Sequence, residues 1–356
     1  MLHQHAGMRV ALDADSREQP NLGHLLLAEP VPGVAVHGDD GLLRGHERNV
    51  PSTFVETLDR PTWQARAAAH AARVDAWVQP HLARRSAGEK HPVHDFLFDY
   101  YSQRPAALRR WHPGFGVVLE DASEYDGVKG YGRIVRHEKH LDCTESGAER
   151  DGLSVTVDHL RSQQPLLESI RRLLAATAAR PATLGCFGLH EWAMVHRTDA
   201  TRHDWSLRLG TTGTDTVVET HRITCSHFDA FRFFTDSARP LNTLNPGRDD
   251  RPEFEQPGCL HAGMDLYKHA FRLTPLVPSE LVADCFALAW DIRVLDMRAS
   301  PYDFADLGLD PVRIETPEGK QEYVAAQRGF AERGAPLRAR LVDECDRLLA
   351  VTPPEG

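Results

Sequence analysis

The stretch Cys259–Phe271, CLHAGMDLYKHAF, decides how the chain is read. On a helix of about 3.6 residues per turn, His261, Asp265 and His269 are spaced four apart and line one face, where a core-facing stripe would normally carry Leu or Ile. Such a stripe needs partners, because an unpaired buried polar group costs about 1–3 kcal/mol and an unpaired charge more.

Three further segments set an imidazole beside or near a carboxylate within apolar sequence: His94-Asp95 with His91 and Asp99 in HPVHDFLFDYY, His190-Glu191 in GCFGLHEWAMVHR, and His227 with Asp229 in CSHFDAFRFF. A single histidine on an apolar face is most often a core residue bonded to a backbone carbonyl. Four such segments can also satisfy one another by converging, which is how helix bundles build iron, manganese and zinc sites. The pattern points to His94, His190, His227 and His261 as metal ligands, with Glu191, Asp229 and Asp265 as catalytic groups, further ligands or orienters. Glu191 is the general-base candidate, since an apolar helix raises a carboxyl pKa. Arg232, Arg293 and Arg298, with Tyr302 nearby, are placed to bind a carboxylate or phosphate of the substrate; ordinary salt bridges are their plainer role.

Composition sets the frame for these sites. The chain has 356 residues, 41% hydrophobic and 26% charged, enough for one large or two modest domains. No apolar run reaches the roughly 18 residues of a membrane span, and the N-terminus lacks the order of a signal peptide, so a cytoplasmic protein is expected. The net charge of −10 opposes diffuse attraction to nucleic acid or anionic membrane and favours a small-molecule substrate. Six cysteines without an export signal read as free thiols. Cys225 and Cys259 each precede a histidine by two, which permits thiolate ligation of zinc, but the chain has no Cys-x-x-Cys pair.

Residues 1–57 show no sustained period and read as an irregular arm; residues 58–351 read as one helical domain with a loop or β insertion over 116–158. Helices are expected after Pro61, in two short pieces before Pro113, and at about 159–178, 183–197, 227–235, 259–273, 278–298 and 318–350, the last broken at Gly334–Pro336. The fold class is therefore mostly α.

HPVHDFLFDYY, RRWHPGFGVVLED, CFGLHEWAMVHR, CSHFDAFRFF, CLHAGMDLYKHAF and LDMRASPYDF together resemble a bacterial family that bears the name 3-methyladenine DNA glycosylase, over about residues 60–345. The resemblance implies hydrolysis of the N-glycosidic bond of an alkylated purine, with the base extruded into a pocket and water activated by a carboxylate. Pro113-Gly114-Phe115-Gly116 is similar to the hairpin of helix-hairpin-helix glycosylases, and His221 to Cys225 has the spacing of an element in zinc-containing ones. His94-Asp95 with His70 is also similar to the pattern of HD-domain metal enzymes. The leading expectation is a metal-dependent enzyme using iron, manganese or zinc for oxidative or hydrolytic chemistry. Excision of alkylated purines and a non-catalytic ligand-binding module are the alternatives, and nucleic acid is a partner only under the first of these.

Overall fold

Asp59 starts the first long helix: its Oδ1 accepts the Thr62 N–H at 2.9 Å, and Pro61 sits in the first turn, where a missing N–H costs nothing. The computed structural model describes residues 56–137, 149–198 and 205–351. Residues 1–55 of the expected arm, and Cys143, lie outside them. The order is β1 (Glu56–Leu58), α1 (Arg60–Ala87), α2 (Phe96–Tyr100), α3 (Pro105–Arg109), β2 (Val117–Glu120), β3 (Tyr131–His137), β4 (Glu149–Val155), α4 (Val157–Ser162), α5 (Gln164–Ala178), α6 (Leu189–Ala193), α7 (Gly210–Thr220), α8 (Phe228–Phe231), α9 (Arg251–Phe254), α10 (Leu260–Arg272), α11 (Ser279–Arg298) and α12 (Pro317–Val351). The architecture is mostly α with one small sheet, and no described helix is long and apolar enough to cross a membrane.

The sheet runs β1-β2-β4-β3, with β1 parallel to β2 and the other pairs antiparallel. Leu58, Trp63, Trp111, Leu119, Tyr125 and Leu153 form its own small core against the start of α1. The hairpin-like stretch Pro113–Gly116 is buried, pinned by Phe115 N–H to Leu276 O and by His112 N–H to Ser279 Oγ at 2.9 and 2.8 Å. Gly114 needs its left-handed φ of 93° here, since a Cβ would come within 3.2 Å of Pro278.

The main core forms where α10 packs along α11, with α12 across both and α5 against α12. α11 buries most of its residues and keeps Glu280, Asp284, Asp291 and Arg298 outside the core, so its buried Arg293 and Asp296 stand out.

The helices depart from the sequence expectation at α6, α7, α8 and α12, and at the four-residue α9, which falls between expected segments. α12 runs unbroken through Gly334 and Pro336. Pro336 is exposed, so water can satisfy the carbonyl its ring leaves free, and buried Gly334 faces Leu288 and Leu266. The expected helices at 183–197 and 227–235 shrink to α6 and α8: left-handed Phe187, Gly188 and Arg197 interrupt the first, and His227 is still extended at the start of the second. α7, over GTTGTDTVVET, has no counterpart among the expected helices: Gly and Thr lower helix propensity, and buried Val217 and Val218 supply the packing that overrides it.

Candidate metal centre

Three elements bring the site together. α6 is entered through Phe187 and Gly188, both left-handed at φ 49° and 67°, and the turn is closed by Leu189 N–H to Cys186 O at 2.9 Å. A left-handed Phe stores on the order of 1–3 kcal/mol, a strain that concentrates at functional sites. Trp192 Nε1–H donates to Ala299 O at 2.8 Å and fixes α6 on the end of α11. His190 thereby meets Asp296, with Nε2 and Oδ1 2.9 Å apart. The first turn of α10 adds His261, whose ring lies 4.4 Å from that of His190 at 81°.

One donor atom from each of His190, His261 and Asp296 falls within 4.8 Å of the other two, so the trio can hold a metal ion. Three donors bound to one ion at about 2.0–2.2 Å lie roughly 3–3.8 Å apart, so pairs near the 4.8 Å limit would have to draw in by about 1 Å as an ion binds. Two imidazoles and one carboxylate with open positions suit iron, manganese or zinc. His261 is half-buried and makes no hydrogen bond with any described residue. Its ring is therefore open to solvent or to a ligand.

A second layer supports the carboxylate. Arg293 Nη1 donates to Asp296 Oδ2 at 3.0 Å and to Glu191 Oε1 at 3.2 Å, and its guanidinium lies 3.7 Å from the centre of the Phe96 ring. Burial opposes the ionisation of Asp296, but His190 and Arg293 outweigh it and hold the carboxyl below its usual range. Burial likewise opposes charging of His190, and Asp296 reverses this and raises it. Burial and the adjacent His190 keep His261 well below the ordinary histidine value, so its lone pair is free for a metal.

Asp265 heads a separate network behind His261. It accepts from Tyr101 Oη at 2.9 Å, Arg251 Nη2 at 2.9 Å and Lys268 Nζ at 3.1 Å, and Lys268 also reaches Asp229 at 3.0 Å. Burial raises the Asp265 pKa, but Lys268 and His227 win and hold it well below the carboxylate range. His227, 1% exposed, sits 3.4 Å from Asp265 and 3.5 Å from Glu255 without hydrogen-bond geometry, its ring 5.2 Å from that of His261.

Of the four histidines expected as ligands, the structure gathers His190 and His261. His227 stands beside the trio, and His94 is elsewhere, stacked between His91 and Trp290. Glu191, Asp229 and Asp265 are all ion-paired, which leaves none of them as an uncommitted base. Of the substrate-side candidates, Arg293 lies at the trio and Arg232 flanks Asp229 at 3.5 Å. Arg298 instead donates to Asp310 O at 2.8 Å, and Tyr302 is buried in a satellite cluster with Val93 and Met297. His70 binds Leu108 O, and Asp95 is taken by His81 and Arg84, so neither joins a ligand set. No thiol belongs to the trio, and the five described cysteines are free. Asp296 is not among the residues that the sequence singles out. Asp284 and Asp291, the acidic pair seven apart on the same helix, pair at the surface with Arg340 and Arg333. The available signal is Asp296 standing three residues after Arg293, between Leu295 and Met297.

The histidines also set an acid response. Burial pushes His112 down to about 4 and His269 down to about 3, so both stay neutral in the folded chain where the unfolded chain, at 6.5, takes up protons. The unfolded state then binds more protons, and stability falls as pH drops from 6.5 toward 4, by on the order of 3 kcal/mol per group at full extent. His190 acts in the opposite sense: its contribution is complete below pH 6.5 and is lost as pH rises through its raised value. Urea midpoints should therefore decline on acidification below pH 6.5, and His269→Gln should flatten that slope.

No protein-family model, no curated protein and no solved structure matches this chain.

Proposed function

We propose that the protein is a metal-dependent enzyme acting on a small polar substrate, with iron, manganese or zinc held by His190, His261 and Asp296. The observation that supports this reading is the convergence of two imidazoles and a carboxylate from three helices on one point, where His261 has no other polar partner among the described residues. A bound ion in such a site polarises oxygen ligands or activates water or dioxygen. The chain's part is to present the donors and hold their geometry. Arg293 fixes the free oxygen of Asp296, Glu191 balances Arg293, and the turn at Phe187–Gly188 aims His190.

Metal analysis of untagged protein, reconstituted separately with Fe2+, Mn2+ and Zn2+ and then desalted, tests the reading. About one ion per chain is expected for at least one of the three metals. Metal far below stoichiometry with all of them would remove it. Release of 3-methyladenine from alkylated duplex DNA, equal with and without metal, would favour the base-excision activity implied by the resemblance.

A further inference from the structure

We infer that the metal centre takes a monoanionic, carboxylate-bearing small molecule whose neighbouring hydroxyl or other neutral polar group is received by His227. This rests on the metal-centre reading above and adds the substrate class to it.

The charges of the site require an anion. Imidazoles bind a metal in their neutral form, so His190 and His261 add no charge to a loaded site. A divalent ion contributes two positive charges and Arg293 one, against one negative charge each from Asp296 and Glu191. The loaded cluster thus carries one net positive charge. The adjoining network does not offset it, since Asp229, Asp265 and Glu255 face Arg232, Arg251 and Lys268, with Arg272 and Arg338 close by as well. A net charge in a site this enclosed is unfavourable unless a counter-charge enters with it. Three protein donors also leave coordination positions open for that counter-charge, and a carboxylate oxygen is the ligand that these metals accept there.

His227 supplies the second, independent observation. It is 1% exposed, neither ring nitrogen has a hydrogen-bond partner among the described residues, and its ring lies against His261. Its Nε2 lies 3.4–3.5 Å from the Asp265 and Glu255 carboxylates without hydrogen-bond geometry, which leaves the ring hydrogen-bonding capacity for a group that enters beside it. A molecule with only a carboxylate would leave it unused, whereas a 2-hydroxy acid carries one group for the ion and one for the ring.

The test uses full-length protein loaded with Co2+, whose visible spectrum reports its ligands. Glycolate, lactate and mandelate are each titrated beside their neutral amides. At least one acid is expected to change the cobalt spectrum and raise the melting temperature, while its amide at the same concentration does neither. His227→Phe is expected to bind one Co2+ as before but to hold that acid at least tenfold more weakly. Amides that bind as well as the acids, no response to any of the three acids, or an unchanged affinity in His227→Phe would each overturn the inference. The comparison of acid with amide needs no variant, so a His227→Phe protein that fails to fold does not spare it. Failure to take up Co2+ would instead sink the metal-centre reading itself, and this inference with it.

Discussion

Asp265→Ala is expected to lower the free energy of unfolding by about 3–5 kcal/mol, read from urea denaturation, because it leaves buried cations without their shared anion. Asp265 is 3% exposed and receives Tyr101, Arg251 and Lys268 at hydrogen-bond distance, with His227 beside it. After its removal Arg251 keeps Glu255 and, at 4.0 Å, Asp229, and Lys268 keeps Asp229, among the described residues. Asp265→Asn should fall between the variant and the wild type, since an amide oxygen can still accept from Tyr101 but carries no charge. In both variants the folded protein should retain metal, because Asp265 is not one of the three donors. A change under about 1 kcal/mol accompanied by complete loss of metal would move Asp265 from the structural network into the centre itself.

His261→Ala, one turn earlier on the same stripe, should behave in the opposite way. The side chain is half-buried and has no hydrogen bond to a described residue, so its removal strands no partner. Stability of the metal-free protein should stay within about 1 kcal/mol of wild type. Metal affinity should fall by more than the roughly 10–100-fold that changes outside the ligand shell produce. Equilibrium dialysis against Zn2+ or Mn2+, with unfolding followed in chelator, separates the two quantities. Equal losses of stability and metal in both variants would mean that the stripe on α10 is one structural unit.

What the sequence determined by itself is the chemistry of its helices. Apolar spacing and end signals such as Asp59-Arg60-Pro61 are local, so the mostly α class and the course of α1, α5, α10 and α11 can be read directly. The density of imidazole and carboxylate on apolar faces is local too, and it points to His190 and His261. Tertiary structure decided what each polar group faces. Asp265 and His261 lie four residues apart on one helix, yet one is enclosed by Arg251, Lys268 and Tyr101 and the other has no hydrogen bond to a described residue. Asp296 meets His190 only because α6, about a hundred residues earlier in the chain, is pinned to the end of α11 by Trp192. His94 carries the same local signal as His190, but its neighbours in space are His91 and Trp290. Spacing along a helix tells which residues share a face. Which partner from a distant segment meets that face is set by how the helices pack, and no local pattern encodes it.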